Sequence, residues 1–235
     1  MGEFDWSGIR LAVFDLDGTL YDQRRLRLRM MATLAGHCLL RPWDLRVLRI
    51  ISQFRRSREA LAEEESEGIS DLQYKRPARQ LGVHPDQVRR VVEYWMLDRP
   101  LEYLHSCRFA DAGRLMQALR TAGVAVAVLS DYPAADKLAA LELEADILVS
   151  AVDPRVDRLK PHPRGLQRVI ELAGVEPEKT VMIGDRDERD GECARRAGAR
   201  WLIKAASDRS QGFFKDYSTL LESFERSAAE EAALQ

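Results

Sequence analysis

The sequence predicts an α/β fold, a doubly wound parallel sheet interrupted by a large all-helical insertion. Three observations carry that expectation. Apolar runs of strand length recur along the 235 residues, helical patterns separate the later runs, and the stretch between the first and second runs has helical periodicity alone.

The first run is "RLAVF" (10–14), apolar on successive residues as in a parallel strand covered on both faces. It runs into "VFDLDGTLYD" (13–22), where Asp15 and Asp17 stand two residues apart. A parallel strand that stops on charge usually stops at a site, although Asp-Gly is also an ordinary turn signal, and these ten residues alone leave both readings open. From 22 to 108 the apolar residues recur at three and four: Leu26, Met30 and Leu34; Val47, Ile50, Ile51 and Phe54; Val88, Val91, Val92 and Trp95. Pro42, Gly68, Pro77, Gly82, Pro85 and Pro100 divide this insertion into four or five helices. Within it, "LAEEESEG" (61–68) reads as a solvated helix end, and Trp43 and Trp95 as core of the insertion rather than as an interface.

Alternation resumes after the insertion. Helical patterns at 113–123, 134–142, 162–174 and 188–199 separate the strand-like runs "VAVAVLS" (124–130), "DILVSA" (146–151), "TVMIG" (180–184) and "RWLIK" (200–204). Gly123, Gly174 and Gly198 fall where helix C-termini should end. The last residues, 227–235, read as a fraying helix.

Bulk properties narrow the function. The net charge of -2 and pI near 6.2 give no global attraction to nucleic acid or to an anionic membrane, so neither is expected as a partner. The insertion holds 17 Lys and Arg against 12 Asp and Glu, so it is the basic part of an otherwise acidic chain. No apolar stretch approaches the roughly 20 residues that cross a bilayer, and the N-terminus lacks a basic and an apolar leader region; a cytoplasmic location is expected. Cys38, Cys107 and Cys193 lack Cys-x-x-Cys spacing and read as ordinary buried or half-buried thiols.

The strand ends supply partners for Asp15 and Asp17. The second run ends in "LSD" with Ser130, the loop "RLKPHP" carries Lys160, and the fourth run leads into "IGDRDERD" with Asp185 and Asp190. Each fragment is commonplace alone, but their order is not. Together, "DLDGT", "LS", Lys before Pro and "GDxxxxD" resemble the haloacid dehalogenase-like hydrolase superfamily, over nearly the whole chain. The helical insertion looks like the class-one cap of its phosphoglycolate phosphatase-like and β-phosphoglucomutase-like branches. The resemblance implies a Rossmann-like core formed by 1–21 and 109–235, with a cap at 22–108.

It also implies chemistry. Asp15 would attack phosphorus to form an aspartyl phosphate, and Asp17 would serve as acid for the leaving oxygen and base for the incoming water. Dehalogenases of the superfamily lack an acid at the second place, because a halide leaves without a proton, so Asp17 points to phosphoryl transfer. Mg²⁺ would be held by Asp15, the Asp17 carbonyl and Asp185, with Asp190 holding the loop or a metal-bound water. Lys160, Ser130 and the Gly18 turn would meet the phosphoryl group. The substrate would be a small phosphorylated metabolite, with no obligate protein partner; a phosphomutase and a catalytically silent binding protein are the alternatives.

Several residues carry two readings. Asp131, where the family often has Asn, either caps the next helix, turns away from the phosphate, or faces a substrate cation, with capping the simplest. Asp22 should cap the first cap helix, and Arg25 either clamps a second anionic group of the substrate or lies on a solvated face. Arg55, Arg56 and Arg58 have the same ambiguity, with Glu59 and Glu63 available on their own helix. Asp187 and Glu188 should pair with Arg186 or Arg189. His162 sits where polar residues at helix starts are common.

Overall fold

The computed structural model describes residues 4–205 and 212–233. Its sheet is parallel throughout, with strands β1 (Leu11–Phe14), β2 (Ala125–Ser130), β3 (Ile147–Ser150), β4 (Thr180–Gly184), β5 (Arg200–Lys204) and β6 (Phe213–Phe214) in the order β3-β2-β1-β4-β5-β6. The chain therefore begins at the centre, builds outward to one side, and returns to build the other. The reversal lies between β1 and β4, which run in register with Leu11 opposite Thr180 and Phe14 opposite Ile183. In such a sheet the crevice for ligands opens at the carboxyl ends of the two strands that flank the reversal.

The apolar runs alternate between two cores. Ala12 and Phe14, Val126 and Val128, and Val181 and Ile183 join one buried cluster; Leu11 and Val13, Ala127 and Leu129, and Met182 join the other. That is why successive residues, not alternate ones, are apolar. Helices α6 (Ala110–Thr121), α7 (Ala135–Leu141) and α10 (Tyr217–Ala233) cover the first face, and α8 (Arg164–Ala173) and α9 (Glu192–Ala197) the second. Gly123, Gly174 and Gly198 take positive φ where α6, α8 and α9 end.

Between β1 and β2 the chain forms α1 (Gln23–Leu40), α2 (Arg46–Glu63), α3 (Ile69–Leu81), α4 (Pro85–Val92) and α5 (Arg99–Leu104), with a wider π-helical turn, Glu93–Asp98, joining the last two. Ile50, Phe54, Tyr74, Ala78, Val88 and Val92 form the centre of this cap. It leaves and re-enters the core side by side: Tyr21 bridges Arg108, the Asp22 N–H donates to the Cys107 carbonyl at 2.9 Å, and the Phe109 N–H to the Leu20 carbonyl at 3.1 Å. Asp22 caps α1 as expected, accepting from the Arg25 N–H.

Two expectations need correction. Trp95 is buried against Val47 and Ile51, but Trp43 is 77% exposed, because the one-turn segment that follows α1 turns its side chain outward. The acidic stretch at 61–68 is solvated only in part: Glu63, Glu64 and Glu67 are exposed where α2 ends, but Leu61 and Ala62 are buried, and the loop after them grips the core. Asp157 of the core accepts the Gly68 N–H at 2.7 Å and the Ser70 N–H at 3.2 Å, while Arg158 donates to the Glu65 carbonyl and to Glu67. The helix expected from 227 is present through Ala233 and begins ten residues earlier, where Tyr217, Leu220, Leu221 and Phe224 are buried in the core; residues 234–235 of that segment lie outside the described residues. The two-residue strand β6 has no counterpart among the predicted runs, being too short to show a period.

Candidate active site

Asp15 follows β1 directly, its N–H held by the Ile183 carbonyl of β4 at 2.8 Å, so its carboxylate sits at the sheet's reversal point. Both oxygens are engaged: Oδ1 accepts from Lys160 Nζ, and Oδ2 from the Thr19 hydroxyl at 2.9 Å. Lys160 also donates to Asp190 Oδ1 at 2.6 Å. Burial pushes the Asp15 carboxyl well above the usual carboxylate range, and the Asp190 and Asp185 carboxylates add to it, against the opposing pull of Lys160. Burial alone would lower Lys160, but Asp15 and Asp190 outweigh it and hold the ammonium charged.

Asp190 is a brace. Its Oδ2 accepts from the N–H groups of Asp185 and Arg186 at 3.2 and 3.1 Å, and its Oδ1 takes the lysine. The loop after β4 is thereby folded back so that Asp185 faces Asp15. Oxygens of Asp15, Asp185 and Asp190 lie within 4.8 Å of one another. Burial, followed by the Asp190 charge, raises the Asp185 carboxyl to about 6. Gly18 makes this approach possible: at φ +101° it admits Asp185, whose Oδ2 would lie 2.2 Å from a Cβ there. Two buried carboxylates and one half-buried one, lined up by a glycine turn with oxygen donors, could hold a divalent cation. Asp15 and Asp185 are placed to hold it, and Asp190 to support them.

Asp17 is handled differently. Lys137 Nζ of α7 lies 2.6 Å from its Oδ1, and the Tyr21 hydroxyl donates to the same oxygen. Burial would raise the Asp17 carboxyl, but the charge and hydrogen bond of Lys137, with help from Tyr21, bring it below the ordinary value. Tyr21 moves the opposite way, pushed well up by burial and by Asp17, so it stays a donor.

The remaining predicted residues fall into place as follows. Ser130 is buried at the end of β2, its Oγ accepting the Tyr132 N–H at 3.2 Å. Asp131 does not cap α7, whose cap position is Ala134; its Oδ1 accepts the Lys160 N–H at 3.2 Å and so positions the lysine loop. Arg25 extends from α1 with its side chain exposed, and among the described residues it meets none of the site's groups. His162 accepts the Arg164 N–H at the start of α8, consistent with the ordinary reading. Cys107 and Cys193 are buried and Cys38 half-buried, all free, with the Cys193 thiol pushed up to about 12 by burial.

Sequence reasoning missed Thr19, Tyr21 and Lys137, and it gave Arg58, Glu59 and Arg189 other partners than those they have. Glu59 does not pair along its own helix; it reaches across to Arg189 at 2.5 Å and Arg186 at 3.4 Å of the core. Arg189 is buried and donates to the Lys160 carbonyl at 2.9 Å, so a cap carboxylate is tied to the lysine loop through one guanidinium. Glu188 pairs with Arg186 as expected, but Asp187 pairs with Arg195. Arg58, only 5% exposed, donates to the Asp131 carbonyl at 2.7 Å and to Gln73, and lies 4.1 Å over the Tyr132 ring. One signal was available: Lys137 interrupts the buried stripe of Ala134, Leu138 and Leu141.

The profile of the haloacid dehalogenase-like hydrolase family matches residues 9–198, from β1 through α9. The chain belongs to that family. A pyrophosphatase, PpaX, of Bacillus mycoides is 31% identical over 81 residues, a match covering 34% of this chain and 36% of that protein, so the chain spans only about a third of this relative's length. Among solved structures, a 2-haloacid dehalogenase from Pseudomonas syringae superposes with TM-score 0.63 at 21% identity, over 93% of this chain and 99% of that one. A HAD phosphatase from Thermococcus onnurineus superposes with TM-score 0.57 at 19% identity, over 92% and 98%. These likenesses cover cap and core together. Among the described residues no helix is long and apolar enough to cross a membrane.

Proposed function

We propose that this hydrolase is a Mg²⁺-dependent phosphomonoesterase acting on a small phosphorylated metabolite in the cytoplasm through an aspartyl phosphate on Asp15. The observation that carries the reading is the second carboxylate: Asp17 stands beside the Asp15–Lys160 pair, buried and paired with a cation of its own. A displacement that expels halide has no use for it, whereas ester cleavage needs a proton delivered to the leaving oxygen and then one removed from water.

A divalent cation, when bound, would supply positive charge that offsets the carboxylates and the phosphoryl group. Asp15 and Asp185 would hold it with the Asp17 carbonyl, and Asp190 would keep them in place. Lys160 offsets the charge of the nucleophile and of the transferring group, and Ser130 with the Gly18 turn offers hydrogen bonds to its oxygens. Asp15 forms the new bond to phosphorus as the ester oxygen leaves with a proton from Asp17. Asp17 then takes a proton from water as that water releases phosphate from Asp15. Arg58 of the cap, which donates to the Asp131 carbonyl, and Glu59, which reaches the Lys160 loop through Arg189, tie cap closure to this machinery and exclude water.

The test is phosphate release from a panel of phosphorylated metabolites, p-nitrophenyl phosphate and pyrophosphate, with and without Mg²⁺. Pyrophosphate is included because of the PpaX likeness. Metal-dependent turnover that Asp15→Asn abolishes supports the reading. A folded protein that converts one phosphorylated sugar to its isomer without releasing phosphate is a mutase; one that binds Mg²⁺ yet turns over no member is a silent binder.

A further inference from the structure

We propose that Lys137 and Tyr21 are positioning residues that pin Asp17 by one oxygen and leave the other for proton transfer, which makes cleavage of poor leaving groups depend on them. The proposal rests on the phosphatase reading and concerns how that site chooses among esters.

The geometry is asymmetric. Lys137 Nζ and the Tyr21 hydroxyl both engage Asp17 Oδ1, and among the described residues no hydrogen bond reaches Oδ2. The two donors come from different elements, α7 and the seam where the cap joins the core, so together they fix the carboxylate's rotation as neither could alone. The pair is shielded, with side chains 7% exposed at Lys137 and 15% at Asp17. Lys137 is itself held, its Nζ lying 5.2 Å over the Tyr132 ring on which Arg58 also rests.

In the first half-reaction an Asp15 oxygen bonds to phosphorus, the bond from phosphorus to the leaving oxygen breaks, and that oxygen takes a proton that Asp17 Oδ2 relays from the monoanionic form of the ester. In the second, water's oxygen bonds to phosphorus, its proton goes to Oδ2, and the bond to Asp15 breaks. An alkoxide cannot leave without the first proton, whereas p-nitrophenolate can. A carboxylate free to rotate therefore loses alkyl esters first.

The decisive measurement is kcat/KM, which reports the steps through the first cleavage, for a series running from p-nitrophenyl phosphate to alkyl phosphates. Lys137→Met is expected to lose on the order of 10²-fold on alkyl phosphates and less than about tenfold on p-nitrophenyl phosphate, within the range that proton transfer contributes. Tyr21→Phe should show the same trend more weakly. It removes a single oxygen, so it serves if Lys137→Met does not fold. Lys137→Arg should recover part of the alkyl activity. Equal losses across the series, or none, in folded variants overturn the proposal alone. An inert wild-type enzyme overturns the phosphatase reading and this proposal with it.

Discussion

Core and cap contribute to the site by different routes. The core's polar groups stand at strand ends: Asp15 after β1, Ser130 at the end of β2 and Asp185 after β4, placed by the sheet's register. The cap's charges, Arg58 and Glu59, stand mid-helix on α2 and reach the site only because the cap rests where it does. Backbone pairing fixes the first set, and the second is fixed by side chains meeting across a seam. The core should therefore respond to substitution in an all-or-none way, and the cap by degrees.

The largest effect expected is at Asp15. Asp15→Asn keeps the shape and removes the nucleophile, so the turnover number should fall by about 10⁴-fold or more while circular dichroism stays that of the wild type. Gly18→Ala comes next. Its Cβ would fall 2.2 Å from Asp185 Oδ2 at a φ of +101°, so it should cost about 1–3 kcal/mol of stability and weaken Mg²⁺ binding, read by thermal unfolding with and without the metal. A stable, fully active Gly18→Ala enzyme would show that the turn is not the cradle described.

The cap should yield smaller changes. Glu59→Gln removes a half-exposed partner of Arg189, worth about 1 kcal/mol, and should raise KM roughly fivefold with little change in kcat. A fall in kcat alone would place Glu59 with the core set. Arg25→Ala should remain within about twofold on every ester of the panel, as a solvated side chain does; a selective loss on one doubly anionic ester would make it a substrate contact.

A pH experiment separates Asp185 from Asp17. The folded-state pKa of Asp185 is raised from 3.8 to about 6, so ionising it costs stability, a cost absent below pH 3.8 and complete above about pH 6. Asp17 has the opposite sign: its lowered pKa contributes stability above 3.8 that is lost only as pH falls below it. Metal-free protein should thus lose melting temperature between about pH 4 and 6, as Asp185 ionises, and change little above that. Mg²⁺ should restore it, by about 2.7 kcal/mol at one hundred times its dissociation constant, and more at pH 8 than at pH 5. An equal metal shift at both pH values would remove Asp185 from the ligand set.

The same contrast explains what was legible in the sequence. Strands flanked by two cores are unbroken apolar runs, and charge at their ends is conspicuous, so Asp15 and Asp185 could be picked out before any coordinates; Lys160, in the loop ahead of α8, stood out only through the order of the motifs. Asp131 was read through the local rule of helix capping, yet it serves a loop 29 residues away. Glu59 was assigned to arginines of its own helix because spacing shows only neighbours along a helix, whereas its partners lie 127 and 130 residues later. Trp43 was placed in the core on size alone, although the chain turns it outward after α1. Lys137 did leave a trace, a charge on a buried stripe, and such interruptions merit the same attention as charged strand ends.

Tyr21 serves two purposes at once. Its backbone pairs with Arg108 where the cap joins the core, and its hydroxyl holds Asp17. Cap and core are therefore not freely interchangeable modules. A chimera that exchanges caps between relatives should keep residues up to Tyr21 with the recipient core and make its junctions at 22 and 108; a cut at 20 would import a foreign residue into proton handling and be mistaken for a change of specificity.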